Sequence, residues 1–357
     1  MHASCLQTHC HVGLKNMSDS PDFSPPMTPD HANLLPALMR MGLLAPGQHA
    51  RFTALTGGVS SLIAKVETDS QTFCVKRALP QLKVSALWEA PVKRNRDEVQ
   101  WLKFAHQVAP GCVPHVLAED AQDCAFAMTY LPAAQHPVWK AQLLNGLAQT
   151  STASAVADVL VRLHAASASN PQLCQSFNHD DDFVAIRLSP YFLHTAEKHP
   201  SVADVLHHLV AQTLSHKLVL VHGDVSPKNT LVGPHGPVLL DAECACHGDP
   251  AFDLAFVLTH LMLKCVWRSQ DTSSYLACFD ALTQTYLRGV TWERPDALEQ
   301  RACLLLAGML LARIDGKSPV EYLTQPAHQQ YVRQRALDWL KHPLTRLSDM
   351  RLLWKPT

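Results

Sequence analysis

The feature that most constrains the fold is an ordered polar pattern set between short apolar runs in the 357-residue chain. Residues 222–229 read His-Gly-Asp-Val-Ser-Pro-Lys-Asn, and a later apolar run ends at Asp241. Segments 230–232 and 238–240 predict two strands, and the Gly-Pro-His-Gly between them predicts a hairpin turn. The hairpin would return Asp241 to the side of Asn229, so residues distant in sequence would meet at one loop.

Oxygen-bearing side chains in this order are typical of a phosphoryl-transfer centre. Asp224 would orient an attacking hydroxyl and accept its proton, while Asn229 and Asp241 would hold Mg²⁺, which prefers oxygen ligands. Loops favour Asp and Asn for conformational reasons, which explains each residue but not the ordered set. His222 would support the tight loop, and Asp253, in the first turn of a later helix, would accept N–H groups from it.

The preceding part of the chain predicts a five-stranded antiparallel sheet. Residues 51–79 read as three strands joined by turns, and two more strands are expected at 113–117 and 124–132. Lys76 ends the third strand, and Glu98 lies on the helix that follows. In kinase-type folds such a Lys holds the α- and β-phosphates and such a Glu holds the Lys. Either residue alone would be an ordinary surface charge; their place before the polar loop favours a pair.

A Gly-Gly-Val-Ser-Ser turn joins the first two strands of this sheet. Its unobstructed N–H groups could lie over phosphates, although hairpin turns also use glycine for backbone reasons. By position alone, adenine would rest at the end of the fifth strand. The predicted nucleotide contacts beyond the Lys–Glu pair are Gly57, Gly58, Ser60, Ser61, Thr129 and Tyr130.

From about residue 151 the apolar pattern has a helical period. Helices are expected at 153–165, 201–215, 254–263, 274–288, 295–312 and 327–341. Between residues 170 and 200 the chain reads as irregular and polar, and Asp182 and Arg187 there would line a substrate pocket. The predicted architecture is therefore α+β and bilobal. It divides into an N-terminal arm (1–30), a nucleotide-binding lobe (31–131), a helical lobe with the catalytic loop and substrate pocket (132–345) and a tail (346–357).

Charge and composition exclude several classes of function. The net charge is −1, and no basic face of the kind that nucleic-acid binders show is visible. The longest apolar run, 303–312, is about half of what a membrane-spanning helix needs. Eleven cysteines without a secretion signal indicate reduced thiols in a cytoplasmic protein. The Cys/His groups near residues 5–11 and 244–247 lack the paired spacing of structural zinc sites.

Residues 221–253 resemble the aminoglycoside phosphotransferase and choline kinase superfamily. The resemblance rests on His-Gly-Asp-x-Ser-Pro-Lys-Asn, Leu-Asp-Ala-Glu and Gly-Asp-Pro-Ala-Phe-Asp-Leu-Ala. It extends from about residue 52 to 263, and more loosely to 341. It implies a protein-kinase-like fold and ATP-dependent phosphorylation of small molecules, and it adds Glu243 as a further metal-side acid that acts through water.

Two shorter segments are similar to 5-methylthioribose kinases. Residues 73–80 read Phe-Cys-Val-Lys-Arg-Ala-Leu-Pro, like the corresponding strand of those enzymes. Residues 311–316 read Leu-Ala-Arg-Ile-Asp-Gly and resemble their substrate-side arginine segment, which would make Arg313 a substrate ligand. The chain departs from that pattern with Asn229 in place of a Ser and Ala242 in place of a Pro.

The sequence therefore predicts an ATP- and Mg²⁺-dependent kinase acting on a hydroxyl of a small molecule. A protein kinase is disfavoured because Asp-Phe-Gly and Ala-Pro-Glu segments are absent from the sequence. A nucleotide-binding regulatory module and a methylthioribose-type sugar kinase are the alternatives. The acceptor stays open among an antibiotic, a sugar and an amino-alcohol. Carboxylates that could meet an aminoglycoside occur at residues 180–182 and at Glu321.

Overall fold

The computed structural model describes residues 33–55, 61–79 and 94–356. The predicted N-terminal arm (1–30) lies outside the described residues, as do Gly57, Gly58 and Ser60 of the predicted phosphate-binding turn.

The N-terminal part of the chain forms the predicted five-stranded antiparallel sheet. Its strands are β1 (Arg51–Ala54), β2 (Ser61–Glu67), β3 (Thr72–Ala78), β4 (Val116–Asp120) and β5 (Ala125–Thr129). They lie in the order β1-β2-β3-β5-β4, with every neighbouring pair antiparallel. Successive side chains of a strand point to opposite faces. Leu62, Ala64 and Val66 of β2 therefore share one buried face, where they form a core with Phe73 and Val75.

Two helices pack against this sheet. Helix α1 (Leu35–Arg40) precedes it and buries Leu38 in the same core. Helix α2 (Arg94–Val108) lies between β3 and β4 in sequence and buries Leu102 in a second core, which also contains residues of the helical lobe. Glu98 lies one turn before Leu102 and is also buried. The face of α2 that packs inward thus carries the predicted acidic partner.

The rest of the chain is predominantly helical. The helices are α3 (Trp139–Leu144), α4 (Thr150–Ala168), α5 (Pro171–Gln175), α6 (Asp180–Phe183), a π-helix (Val184–Leu193), α7 (His194–Lys198), α8 (Ala203–Ser215), α9 (Pro250–Trp267), α10 (Thr272–Gly289), α11 (Pro295–Asp315), α12 (Pro326–Lys341) and α13 (Leu347–Leu353). The predicted α+β architecture, with a sheet first and helices after it, is confirmed.

Helix α9 runs through the centre of the helical lobe, as its nearly all-round apolar composition predicts. Every residue from Pro250 to Val266 is buried. By length and composition α9 could cross a membrane, but 94% of its apolar window is buried inside the protein. That burial is the pattern of a core helix.

Two short antiparallel strand pairs frame the polar loop. They are formed by β6 (Val219–Val221), β7 (Thr230–Gly233), β8 (Gly236–Leu239) and β9 (Cys246–Gly248). Strands β7 and β8 form the predicted hairpin, and β6 pairs with β9. The Leu239 N–H donates to the carbonyl of Cys112 at 2.8 Å, which ties the hairpin to the segment before β4.

Two expectations from the sequence are wrong. The segment between residues 170 and 200 is helical rather than irregular, because Ile186, Leu188 and Phe192 are buried. Its π-helix contains Pro190, which cannot complete a regular α-helical ladder. Residues 346–357, expected as a tail, include helix α13. Trp354 after it is buried, and its indole N–H donates to the carbonyl of Met262 at 3.0 Å.

Candidate active site

The side chain of Asp253 in α9 holds the loop between β6 and β7. Its two carboxylate oxygens accept the backbone N–H groups of His222 at 2.7 Å and of Gly223 at 2.8 Å. His164 Nε2 of α4 lies 3.2 Å from the same carboxylate. Gly223 has φ +77°, and a Cβ there would lie 2.5 Å from the carbonyl oxygen of Cys244. Glycine is therefore required both by the backbone conformation and by the close approach.

Hydrogen bonds also fix the imidazole of His222 inside this loop. The Asp224 N–H donates to Nδ1 at 3.2 Å, so the ring carries its proton on Nε2, which lies 3.1 Å from the carbonyl of Leu240. Burial lowers the pKa of His222 and keeps it neutral. Burial opposes ionisation of Asp253, but its contacts with His164 and His222 together outweigh burial and lower the pKa of Asp253. The loop thus rests on a buried carboxylate that stays charged.

Asp224 is buried and bound by two cations. Its Oδ2 lies 2.8 Å from Arg187 Nη2 and 3.2 Å from Lys228 Nζ. Arg187 Nε also donates to the carbonyl of Gly223 at 2.7 Å. Burial lowers the pKa of Arg187, but the charge of Asp224 and those of the other acidic groups around it together raise that pKa; Asp224 also raises the pKa of Lys228. The structure thus places Arg187, predicted as a pocket residue, directly on the predicted base.

Lys76, Glu98 and Asp241 meet although they come from β3, α2 and the loop after β8. Lys76 Nζ lies 2.7 Å from Glu98 Oε1 and 2.5 Å from Asp241 Oδ1. Burial raises the pKa of Glu98 to about 7. Burial opposes ionisation of Asp241, but the charges of Lys76 and Lys228 and the hydrogen bond from Lys76 together lower its pKa. One cation is thus shared by two carboxylates in this corner.

A cavity of about 320 Å³ opens between the sheet and the β7–β8 hairpin. Lys76, Asn229 and Asp241 line its polar end, and apolar side chains of the sheet, α2 and the hairpin line the remainder. An apolar slot beside a charged end suits a flat base joined to phosphates.

The predicted adenine and turn residues lie at different points of this region. Thr129 and Tyr130 line the cavity. The Thr129 N–H already donates to the carbonyl of His115 at 2.9 Å, so it is not available to a base. Ser61 is buried, and its Oγ has no hydrogen-bond partner among the described residues.

Asn229 and Asp241 offer a two-oxygen set at the polar end of the cavity. Asn229 Nδ2 donates to the carbonyl of Asp224 at 3.1 Å, which leaves its amide oxygen for other partners. Glu243 is engaged by Arg94, whose Nε lies 3.0 Å from Glu243 Oε2. Within the described ranges no three His, Cys, Asp or Glu side chains gather as a metal site. One carboxylate and one amide oxygen fit Mg²⁺, which commonly completes its shell with phosphates and water.

The remaining predicted substrate residues lie apart from one another. Arg313 of α11 has its Nη1 3.2 Å from the Tyr191 hydroxyl and its Cζ 5.8 Å from the centre of that ring. Asp182 lies in a second cavity formed by residues Asn178–Asp182, which shares no lining residue with the cavity at Lys76. The sequence did not predict that His164 contacts Asp253. The available signal was a histidine on the apolar face of α4.

Comparison with known proteins places this site in context. The model of the phosphotransferase enzyme family matches residues 51–270. No curated protein sequence matches the chain. A choline/ethanolamine kinase family protein from Mesorhizobium loti is 14% identical, with TM-score 0.50 over 88% of this chain and 96% of that one.

Two further solved structures are similar. The choline kinase from Cryptosporidium parvum is 11% identical, with TM-score 0.52 over 90% of this chain and 97% of that one. The amicoumacin kinase hAmiN, in complex with AMP-PNP, Ca²⁺ and Ami, is 13% identical, with TM-score 0.52 over 88% of this chain and 95% of that one. At these identities the similarity shows the fold alone, and the predicted protein-kinase-like fold is confirmed.

Proposed function

The chain belongs to the phosphotransferase enzyme family, and we propose that it is a kinase that uses ATP and Mg²⁺ to phosphorylate a hydroxyl of a small molecule. The observation that carries this proposal is the position of Asn229. It lines the cavity with Lys76 and Asp241, and its side chain binds the backbone of Asp224. Asn229 therefore contacts both the proposed nucleotide site and the backbone of the candidate base. The complex of a relative with AMP-PNP supports the choice of nucleotide.

On the nucleotide side, Lys76 would bind phosphate oxygens while Glu98 keeps its ammonium in place. Mg²⁺ held by Asn229 and Asp241 would supply positive charge against the triphosphate. Glu243, held by Arg94, would act on the metal through water. The further nucleotide contacts in this proposal are Gly57, Gly58, Ser60, Ser61, Thr129 and Tyr130.

On the acceptor side, Asp224 would accept a hydrogen bond from the substrate hydroxyl and fix its direction of attack. The hydroxyl oxygen forms a new bond to the γ-phosphorus, the bond from that phosphorus to the bridging oxygen of ADP breaks, and Asp224 takes the proton. Lys228 lines the nucleotide cavity and also contacts Asp224. It is therefore positioned to neutralise charge on the group in transfer.

Asp253, His222 and Gly223 would hold the loop in the geometry that this reaction needs. Arg187 and Arg313 are the proposed substrate-side residues, with Asp182 at a separate cavity. A methylthioribose-type acceptor stays a prediction. The described cysteines are all free, which supports the proposed cytoplasmic location.

The test of this function is Asp224→Asn. Loss of the base should reduce ATP-dependent transfer by about 10²–10⁴-fold, measured as ADP release across a panel of hydroxylated small molecules. Binding of AMP-PNP with Mg²⁺, measured by calorimetry, should be retained because Asp224 itself does not line the nucleotide cavity. Asp204→Asn, at an exposed position of α8, is the matched control. Full turnover in the Asp224 variant would exclude this residue as the base.

A further inference from the structure

One face of α9 leads away from the Asp224 site. Phe256, His260 and Lys264 recur at four-residue spacing, so they lie one above another on the helix. The ring centre of Phe256 lies 5.9 Å from Arg187 Cζ, which places the start of this row beside the partner of Asp224. The rings of Phe256 and His260 are 5.7 Å apart. The row therefore begins at the candidate base and extends into the helical lobe.

Lys264, at the far end of the row, is a buried cation. Its side chain is almost fully enclosed, and its Nζ lies 4.3 Å from the centre of the Tyr322 ring. Within the described part of the chain, Lys264 forms no ion pair. Burial, and after it the charge of Lys140, lowers the pKa of Lys264 to about 8. A buried ammonium without a carboxylate partner is costly, so its retention calls for an explanation.

Arg313 reaches the same region from α11. Its guanidinium lies against Tyr191, whose ring centre is 5.7 Å from that of Phe256. Arg313 Nε and the Tyr322 hydroxyl are buried and have no hydrogen-bond partner among the residues that the structure describes. Two hydrogen-bond donors therefore lie beside the row without a partner among the described residues.

The charge surrounding His260 is positive. Burial lowers the pKa of His260 far below its ordinary value, and nearby cations lower it further. These cations are Arg313, Lys264, Lys228 and Lys140. A carboxylate does lie nearby, on Glu321, but it pairs with Lys140 and is largely exposed. Of these four cations, Lys228 pairs with the buried Asp224 and Lys140 pairs with Glu321. Lys264 and Arg313 form no ion pair with any carboxylate among the described residues.

We propose that the basic cluster formed by Lys264 and Arg313, beside His260, binds an anionic group of the acceptor. The substrate is then a small molecule that carries a phosphate or carboxylate as well as the hydroxyl that is phosphorylated. The inference rests on the proposed function, because Asp224 must be the group that meets the hydroxyl. Both anions accept hydrogen bonds from guanidinium and ammonium groups.

The size and charge of the acceptor follow from this arrangement. Lys264 follows Phe256 by eight positions, which is about 12 Å along the helix axis. That distance, less the reach of the Lys264 side chain, suits a derivative of a pentose or hexose. An aminoglycoside or a quaternary amine would meet like charges here, which disfavours its recognition.

The test is a thermal-shift titration of the full chain saturated with AMP-PNP and Mg²⁺. Ribose 5-phosphate and gluconate are the anionic probes, and ribose and glucosamine are the neutral and cationic ones. We expect the anions to raise Tm by about 2–4 °C, and the other two to leave it unchanged. Absence of a shift with both anions, or a larger shift with glucosamine, overturns the inference.

Variants connect the shift to these side chains. Lys264→Met removes the charge but keeps most of the length of the side chain, and it should abolish the anion shift. Arg313→Met should do the same, and Arg313→Lys should restore part of it. Lys103→Met, at an exposed lysine paired with Glu119, is the control and should keep the shift in full. An anion shift that survives in the Lys264 and Arg313 variants places the anion elsewhere and overturns the inference.

The same experiment separates the two proposals. If AMP-PNP with Mg²⁺ does not stabilise the protein, the proposed kinase function fails. If AMP-PNP stabilises it and the anions add nothing, the kinase function stands and only the anionic acceptor is excluded.

Discussion

The two sides of Asp224 differ in how their cations are paired. On the nucleotide side, Lys76 is shared by the carboxylates of Glu98 and Asp241. On the acceptor side, Lys264 and Arg313 lie among aromatic rings with no buried carboxylate among the neighbours described above. The difference indicates that the two sides suit different ligands. The first suits a metal ion with its phosphates, and the second suits a substrate that brings its own negative charge.

The largest expected effect comes from removing the cation that Glu98 and Asp241 share on the nucleotide side. Lys76→Met deletes a charge aimed at the phosphates, and we expect kcat to fall by about 10²–10³-fold. Gluconate should still raise Tm in this variant if the two sides are independent. Measuring both in parallel with Lys103→Met tests the comparison. Loss of the gluconate response together with activity would show that the sides act as one site.

The second effect should change both the nucleotide side and the acceptor side, because Asp253 positions the loop that lies between them. In Asp253→Ala the backbone N–H groups of His222 and Gly223, and His164, lose a buried charged partner. We expect the free energy of unfolding to fall by about 3–5 kcal/mol, measured by urea denaturation. Asp204→Ala is the control for loss of a carboxylate at an exposed position. A decrease of less than about 1 kcal/mol would show that the loop is held by other contacts.

The smallest expected effect is a pH dependence confined to the acceptor side. Lys264 faces Lys140, Glu321, Tyr322 and His260. Its pKa is lowered to about 8, mainly by burial. Lys264 loses its charge as pH rises through that value, so gluconate should bind up to about tenfold more weakly at pH 9 than at pH 7. The carboxylate of gluconate stays ionised over this range.

Linkage gives the sign of the accompanying change in stability. Because the folded pKa of Lys264 lies below its unfolded value, the unfolded chain binds more protons between the two, and this lysine destabilises the fold less as pH rises. In Lys264→Met the affinity for gluconate should be weak and flat with pH. A wild-type affinity that does not change between pH 7 and pH 9 would exclude Lys264 as an anion ligand.

The sequence predicted the nucleotide side better than the acceptor side for a physical reason. Asp224 and Asn229 are joined by one short loop, and a hairpin returns Asp241 to them, so local spacing alone indicates their proximity. The five-stranded sheet and the helical lobe follow from periods that local sequence displays, and both are confirmed. The catalytic and binding roles of these residues stay predictions.

The acceptor side is assembled from elements that are distant in sequence. Lys264 belongs to an apolar helix, and only packing against Tyr322 and Lys140 shows that its charge is buried. The contact of Arg187 with Asp224 depends on the π-helix, in a segment that its polar sequence predicts to be irregular. A π-helix has no sequence period that separates it from an α-helix in a short segment.

Helix α9 carries both ends of the proposed acceptor site on one rigid element. Asp253 in its first turn positions the loop of the base, and Lys264 lies about 16 Å further along the axis. The distance between the reacting oxygen and the anion is therefore set by a helix rather than by a mobile loop. An acceptor whose hydroxyl and anion are too close together would fill the basic end without reaching Asp224. Such a molecule would be a competitive inhibitor, and the enzyme would select substrates by length as well as by charge.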